Sequence, residues 1–294
     1  MTLPLWPFLV VAASALQVVR NASQRALTDE LGVWGAAYVR FVYGLPFALA
    51  WAAAIVAWRG LDGGANAAFL GWTLFGSVMQ GAATVFLVTA MQGRNFAVAT
   101  ALAKTEVLGA TAIGALLTHD LITGAQWGGA IVASLGIALL ARVSVTPAAL
   151  RAALAGAAAG ACFSFSAVSY RAAALAWGGD LWSAAAMTLV STLAAQTLLG
   201  ALTLALVKPG ALAGVARAWK PSLVPGAAGA FSSALLFTAF ALGPSAGAVK
   251  TIQLTDVFIA WLVSRRVFRE GLTRAEWLGG GLILAGAALV LLGT

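Results

Sequence analysis

Residues 181–207, LWSAAAMTLVSTLAAQTLLGALTLALV, form an unbroken run of apolar and small residues that contains no charged side chain. A helix of about 20 such residues is long enough to cross the hydrocarbon core of a bilayer. Similar runs lie on both sides of it, near 95–117, 124–141, 221–242 and 273–293. The sequence therefore predicts an all-α integral membrane protein.

The composition supports the same class of protein for the whole chain. Hydrophobic residues make up 62% of the sequence and charged residues only 9%, against about 25% charged residues in a typical soluble domain. So few charges could not cover a water-exposed surface, whereas a lipid bilayer accepts apolar side chains. The net charge of +8 does not indicate a nucleic-acid partner, because the basic residues lie mostly in short loops between spans.

Ten transmembrane helices are predicted, joined by short connections. We place them at 4–27, 33–58, 68–91, 95–117, 124–141, 148–176, 181–207, 221–242, 244–265 and 273–293. Most tryptophans fall near the predicted helix ends, as in the aromatic belts at membrane interfaces. The positive-inside rule favours both termini outside the cytoplasm, because most basic loop residues then face the cytoplasm.

The chain repeats itself with an offset of 150 residues, so that position 105 aligns with position 255. Thr105-Glu106-Val107 then aligns with Thr255-Asp256-Val257, and Trp127 with Trp277. Because each half, 1–145 and 146–294, contains five predicted helices, the second half must have the opposite orientation in the membrane. Inverted repeats with a site at mid-membrane are a recurrent transporter design. We therefore predict two inverted five-helix repeats around a central cavity.

Ionisable side chains within the predicted spans mark the candidate site, because inserting each one costs about 2.5–3.5 kcal/mol. Five are predicted to lie deep in the membrane: Arg40, Lys104, Glu106, Lys250 and Asp256. In one interpretation each acid neutralises a nearby base, for example Arg40 or Lys104. In the other, the surplus positive charge binds a substrate carboxylate, or an acid carries a coupling proton. The two interpretations are compatible with each other.

Uncharged polar residues extend this predicted cavity, and in helix one their spacing places them on one stripe. The further predicted cavity residues are Gln17, Asn21, Gln24, Tyr43, Gln80, Thr84, Ser166, Ser169, Tyr170 and Gln253. Each of them alone is also compatible with a simple helix–helix contact. Pro46, inside helix two, and Pro244, at the corner into helix nine, are predicted hinges.

Residues for catalysis or metal binding are scarce. His119 is the only histidine and lies in a predicted loop, which excludes a metal cluster built from histidines. The sequence also lacks a Walker-type phosphate loop. We therefore expect no cofactor, no metal and no enzymatic activity, and we expect energy to come from a gradient or from exchange.

In each half a short polar loop follows the fourth helix and a Trp-Gly-rich stretch opens the fifth. These segments are His119–Thr123 with Gln126–Gly129, and Arg269–Thr273 with Glu276–Gly280. The arrangement resembles the drug/metabolite transporter superfamily of EamA type, and among its members the YddG-like amino-acid exporters. The resemblance implies a multi-pass protein of a bacterial-type inner membrane that exports small molecules by alternating access.

Amino acids, including aromatic ones, are the substrates that this resemblance favours. It leaves open a sugar-phosphate or nucleotide-sugar exchanger and a multidrug exporter. It also leaves open coupling to a proton or to no ion. A membrane-embedded enzyme and a channel are alternatives of a different class. Members of this superfamily are usually drawn with both termini in the cytoplasm, opposite to the orientation that the charges favour here.

Overall fold

The computed structural model describes residues 4–91, 103–140, 147–259 and 274–294, and the regular structure in these ranges is α-helical. In chain order the helices are α1 (Trp6–Ala26), α2 (Thr28–Val42), α3 (Leu45–Arg59), α4 (Ala67–Met91), α5 (Glu106–Leu117), α6 (Gly124–Leu140), α7 (Pro147–Trp177), α8 (Leu181–Val207), α9 (Ala211–Arg217), α10 (Trp219–Leu242), α11 (Ala246–Gln253) and α12 (Arg274–Leu292). Residues 255–259 are helical as well. Within the described ranges, the prediction of an all-α protein is confirmed.

Several helices have the length and composition of membrane spans. The segments that are long and apolar enough to cross a bilayer are Thr28–Arg59, Ala67–Leu87, Ala153–Trp177, Leu181–Val207 and Trp219–Leu242. Shorter apolar helices occupy Glu106–Leu117, Gly124–Leu139 and Trp277–Leu292. Large apolar side chains such as Leu198, 72% exposed, point outward from these helices. Such surfaces are compatible with a membrane protein, because water would disfavour them.

The ten predicted spans reach beyond the described part of the chain. Residues 95–102 of predicted helix four and 260–265 of predicted helix nine lie outside the described residues, as does the motif Arg269–Thr273. The number of spans and the two five-helix repeats therefore remain predictions. One helix was not predicted: α9 occupies the connection between two spans, where the sequence indicated only a loop.

The helices group into two compact units, and each unit contains segments from both halves of the sequence. Unit 1 consists of Met1–Gly81 and Ser169–Leu242, and unit 2 of Ala82–Val168 and Gly243–Thr294. The predicted division at 145/146 describes an internal duplication of the sequence, whereas the two units describe which helices are in contact. The two repeated halves therefore remain a prediction.

In unit 1, side-chain hydrogen bonds to the backbone hold α1, α2 and α10 together. Ser232 Oγ of α10 donates to the backbone oxygen of Ala13 in α1 at 2.8 Å. Gln24 Nε2 of α1 donates to the backbone oxygen of Ala36 in α2 at 2.7 Å. Polar side chains commonly join helices in this way in membranes, where packing and hydrogen bonds replace the hydrophobic drive.

The long span Thr28–Arg59 of unit 1 is interrupted just before Pro46. Helix α2 ends at Val42, and α3 begins at Leu45 with Pro46 in its first turn. Proline removes a backbone donor and crowds the preceding turn, so the break between α2 and α3 has a direct cause. The segment between α2 and α3 packs against Gly226 of α10. A Cβ added to Gly226 would lie 2.7 Å from the carbonyl group of Tyr43. Movement about Pro46 remains a prediction.

In unit 2, α6 and α12 approach so closely that glycines are required where they touch. A Cβ added to Gly129 of α6 would lie 2.5 Å from the backbone oxygen of Gly286 in α12. A Cβ added to Gly136 of α6 would lie 2.6 Å from the backbone oxygen of Gly279 in α12. Glycine pairs of this kind allow two membrane helices to pack backbone against backbone.

Candidate functional site

The charged residues of unit 2 lie where two helices are interrupted. Helix α5 begins at Glu106 directly after a turn at Lys104 and Thr105. Helix α11 ends at Gln253, and after a single turn residue, Leu254, the chain is helical again over 255–259. Interrupted membrane helices are frequent at the sites of transporters, where they expose backbone groups to a ligand or ion.

The two interruptions have the same backbone geometry. Val107 N donates to the backbone oxygen of Lys104 at 3.2 Å, and Val257 N donates to that of Leu254 at 3.1 Å. Both are bonds to the third preceding residue, which tighten the helix into a single 3₁₀-type turn. The offset of 150 residues aligns Lys104 with Leu254 and Val107 with Val257. Both interruptions therefore fall at positions that the internal alignment makes equivalent.

Two ion pairs join the segments on either side of these turns. Lys104 Nζ lies 2.6 Å from Asp256 Oδ2, and Lys250 Nζ lies 3.1 Å from Glu106 Oε2. None of the four side chains is more than 15% exposed. Glu106 is in the first turn of α5 and Lys250 is in the last turn of α11. The helix dipoles stabilise a negative and a positive charge, respectively, at these two ends.

The ion pairs support the interpretation in which each buried acid neutralises a base. Each acid does neutralise a base, and for Asp256 that base is Lys104, one of the two partners considered. For Glu106 the base is Lys250, a partner that the sequence did not single out. Lys104 and Lys250 therefore do not supply surplus positive charge, because each already holds a carboxylate.

Close packing fixes the helices around the ion pairs. Ser164 Oγ of α7 donates to the backbone oxygen of Glu106 at 3.1 Å. Gly247 of α11 lies directly against Thr111 of α5, where no larger residue would fit without displacing the threonine side chain. The start of α11 is held as well, because Ala246 N donates to Asp120 Oδ2 at 3.3 Å.

The other predicted cavity residues of unit 2 lie at different depths. Gln253 is 4% exposed and Ser166 is 2% exposed, whereas Thr84 is half-buried. Pro244 lies in the non-helical corner between α10 and α11. Because the predicted cavity also draws on residues of unit 1, the cavity as a whole remains a prediction.

In unit 1, the two predicted cavity tyrosines connect helices. Tyr170 Oη donates to the backbone oxygen of Gly76 at 3.0 Å and accepts a hydrogen bond from Gln196 Nε2 at 3.0 Å. Tyr43 Oη donates to the backbone oxygen of Val215 at 2.9 Å. Both hydroxyl groups thus have structural partners, which favours the simple helix–helix role for these two residues.

The polar stripe of α1 is partly engaged in similar contacts. Asn21 is exposed, and its Oδ1 accepts a hydrogen bond from Arg20 Nη2 at 2.8 Å. Gln24 is used to tie α1 to α2. The remaining predicted residues of unit 1 are Gln17 and Gln80, which are half-buried, and Ser169, which is 1% exposed.

Arg40 lies in the last turn of α2, inside a candidate span. Its guanidinium carbon is 4.4 Å from the centre of the Phe41 ring. Its side chain leaves α2 beside Gly229 of α10, and the side chain of Arg20 from α1 reaches the same glycine. Two arginines of neighbouring helices therefore meet α10 at one point.

Sequence reasoning missed Arg171 as a buried cation. Its side chain is 7% exposed, and Nη1 donates to the backbone oxygen of Phe240 at 2.6 Å. The predicted helix 148–176 ends five residues after Arg171, so the sequence alone leaves this side chain near enough to the helix end to reach water. The available signal was Trp177, an interfacial residue type that follows almost two helical turns later. Its position indicates that Arg171 lies inside the span.

No protein-family model and no curated protein matches this chain. A solved structure described only as "Crystal structure of protein" is similar to it, with a TM-score of 0.64 and 20% sequence identity. The match covers 98% of this chain and 96% of that chain. At this identity, the likeness concerns the fold alone.

Proposed function

We propose that this protein is a secondary transporter of a bacterial-type inner membrane that exports small metabolites by alternating access. Amino acids, including aromatic ones, are the first substrates to test. This function follows the resemblance of the loop motifs to EamA-type members of the drug/metabolite transporter superfamily. It requires no cofactor or metal, and its energy source is a proton gradient, substrate exchange or the substrate gradient itself.

The observation that carries the proposal is the pair of equivalent helix interruptions with their ion pairs. For a protein that served only as a stable bundle, two helices interrupted at matched positions with four charges placed there would be a costly arrangement. A carrier needs such places, because it must bind a solute away from bulk water and then release it. Ion pairs can also exchange partners at small cost when a charged solute or a proton arrives, since each charge keeps a counter-charge.

The packing of α6 against α12 supports the inverted repeats that alternating access uses. The offset of 150 residues aligns Gly129 with Gly279 and Gly136 with Gly286. The observed close contacts are Gly129 with Gly286 and Gly136 with Gly279. This reciprocal pattern is the one expected when two copies of one surface meet across a two-fold axis. Two halves related in this way can exchange conformations, which gives two packings of similar energy.

The charge pattern of unit 2 favours a metabolite carrier over a sugar-phosphate or nucleotide-sugar exchanger that would bind its phosphate group between these helices. A doubly charged phosphate group calls for several free cations in one place. Lys104 and Lys250 instead hold Asp256 and Glu106. A channel and a membrane-embedded enzyme remain alternatives of a different class, and saturable counterflow separates a carrier from both.

Transport by the purified full-length protein in proteoliposomes tests the proposal. We expect saturable amino-acid uptake that is accelerated by the same amino acid on the opposite side. Glu106→Gln and Lys104→Ala should each reduce the flux, whereas Lys220→Gln, at an exposed position near a helix end, should leave it unchanged. Normal flux in both folded site variants would overturn the site assignment, and absence of saturable flux for every amino acid would overturn amino-acid transport.

A further inference from the structure

Arg40 differs from the deep lysines Lys104 and Lys250 in that it forms no ion pair with a described residue. Within the described residues, its guanidinium makes no hydrogen bond and no ion pair, and the side chain is half-buried. The Phe41 ring covers it at 4.4 Å. A guanidinium carries five N–H donors and keeps its charge. In a membrane span such a group is stable only when water or an anion occupies its donors.

A second arginine lies at the same level as Arg40. Gln24 of α1 is hydrogen-bonded to Ala36 of α2, while Arg20 is one turn before Gln24 and Arg40 is one turn after Ala36. In helices that run in opposite directions, these steps lead to the same height along the pair. The two arginines therefore face the same stretch of α10.

Gly229 of α10 confirms that the two arginine side chains are close. A Cβ placed on Gly229 would lie 3.2 Å from Cδ of Arg20 and 3.7 Å from Cβ of Arg40. The absence of a side chain at this position gives the stem of Arg20 the room to pass beside Arg40. The glycine thus shapes a surface that carries two positive charges.

Within the described residues, the helices packed against Arg40 supply no nearby carboxylate to balance its charge. Helices α1 and α10 contain no acidic residue, and the acids of α2 are Asp29 and Glu30. Both are exposed in the first turn of α2, whereas Arg40 is in its last turn. The lysines of unit 2, by contrast, each have a carboxylate within 3.1 Å. Among the described residues, Arg40 is therefore a cation of a candidate span that has no carboxylate beside it.

We propose that Arg40, with Arg20 beside it, binds the carboxylate of the solute, so that the substrates of this protein are small carboxylic and amino acids. The proposal rests on the transport function proposed above and defines its substrate class. A guanidinium binds a carboxylate through two parallel N–H bonds, and such a pair strengthens where water is scarce. Lysine offers only a point charge, so the variant Arg40→Lys should bind the carboxylate more weakly than the wild type.

Binding of matched acid and amide ligands tests this site independently of flux. The ligands are phenylalanine, leucine and benzoate, each paired with its amide, and titration calorimetry of the full-length protein in detergent measures the dissociation constants. We expect at least one acid to bind about tenfold or more tightly than its amide. Arg40→Gln should bring that ratio to about one, and Arg40→Lys should leave an intermediate ratio. The matched control Arg217→Gln removes an exposed arginine of α9 and should keep the wild-type ratio.

A milder variant keeps the proposal testable should Arg40→Gln fail to fold. Gly229→Ala leaves both arginines in place but displaces the stem of Arg20, so it should weaken binding of the acid more than binding of the amide. Equal binding of all acids and amides by the wild type, or an unchanged ratio in folded Arg40→Gln, would overturn the carboxylate site. Stronger competition by inorganic phosphate than by the acids would overturn the assignment to carboxylates.

The two proposals fail in different ways. Flux in proteoliposomes with an unchanged acid-to-amide ratio in Arg40→Gln would overturn the carboxylate site and leave transport in place. Selective binding of acids that depends on Arg40, without flux of any of them, would overturn transport and leave the anion site in place.

Discussion

The ammonium group of Lys250 lies 3.1 Å from the carboxylate of Glu106, although 144 positions separate the two residues in the sequence. Lys104 and Asp256 form a second pair between the same two interrupted helical regions. Each charge in these pairs is tolerated in a membrane because of its partner. Removing one member of a pair therefore leaves the other charge without a counter-charge in apolar surroundings. Removing both members leaves no such charge.

Glu106→Gln should lower the unfolding temperature of the purified protein. The double variant Glu106→Gln/Lys250→Met should have an unfolding temperature close to that of the wild type. The single change leaves the Lys250 charge without its carboxylate, which for a buried pair costs about 3–5 kcal/mol. Thermal unfolding of the wild type, the two single variants and the double variant in detergent gives the coupling energy by a double-mutant cycle. A double variant as unstable as the singles would show that the pair does not account for the loss.

Two glycines that are neighbours in the sequence should respond in opposite ways to substitution by alanine. A Cβ on Gly129 would lie 2.5 Å from the backbone oxygen of Gly286, whereas a Cβ on Gly128 would have nothing within 4 Å. Gly129→Ala should therefore destabilise the protein by about 1–3 kcal/mol through overpacking. Gly128→Ala should be neutral or stabilising by up to about 1 kcal/mol, since alanine is the better helix former. Unfolding temperatures in one detergent measure both, and equal values would show that α6 and α12 do not pack as closely as described.

The long helices could be predicted well because long apolar runs determine where a membrane helix lies. The predicted span 181–207 coincides with Leu181–Val207, and the predicted span 124–141 agrees with Gly124–Leu140 up to residue 140, beyond which residue 141 lies outside the described residues. The opening before Pro46 was also predictable, since proline acts through its own backbone. Local chemistry was sufficient in each of these cases.

The interruptions at Lys104–Thr105 and at Leu254 could not be predicted in the same way. Neither contains glycine or proline, and both have right-handed helical dihedral angles, with ψ of −11° at Thr105 and −13° at Leu254. The first of them carries Lys104, whose side chain is held by Asp256, a residue 152 positions away in the sequence. Similarly, the alignment paired Glu106 with Asp256 by position, but it could not identify Lys250 as the partner of Glu106.

Arg59 and Asp180 should make the stability of unit 1 depend on pH at the acidic end. Arg59 Nη2 lies 2.7 Å from Asp180 Oδ1, and Oδ2 of Asp180 accepts hydrogen bonds from Trp182 N and Ser183 N at the start of α8. Burial opposes the charged form of Asp180. The hydrogen bonds from Arg59 and Ser183 outweigh it, so the pKa of Asp180 is held below its ordinary value of 3.8.

A lowered carboxylate pKa stabilises the folded state above the pKa of the unfolded chain, and this stabilisation is lost as pH falls through the folded value. Asp180→Asn should therefore have a lower unfolding temperature than the wild type at neutral pH, and the difference should shrink below about pH 3.8. The effect should be below about 1 kcal/mol, because the Arg59 side chain is 43% exposed. Unfolding temperatures between neutral pH and about pH 3 measure it, and a difference that stays constant over this range would contradict the linkage.

The predicted orientation of the chain in the membrane can be tested because two loops of unit 1 lie on the same side. Trp177 Nε1 donates to the backbone oxygen of Asp62 at 2.8 Å, and Asn66 Nδ2 donates to that of Ala176 at 2.6 Å. The loops after α3 and after α7 therefore lie together, and the positive-inside rule places this basic-poor side outside. A reporter that works only in the cytoplasm should be inactive when fused after Thr294. The same reporter should be active when it is inserted after Gly210, between Lys208 and Arg217. A reporter that is active after Thr294 and inactive after Gly210 would reverse the predicted orientation, because the two fusion points are predicted to lie on opposite sides of the membrane.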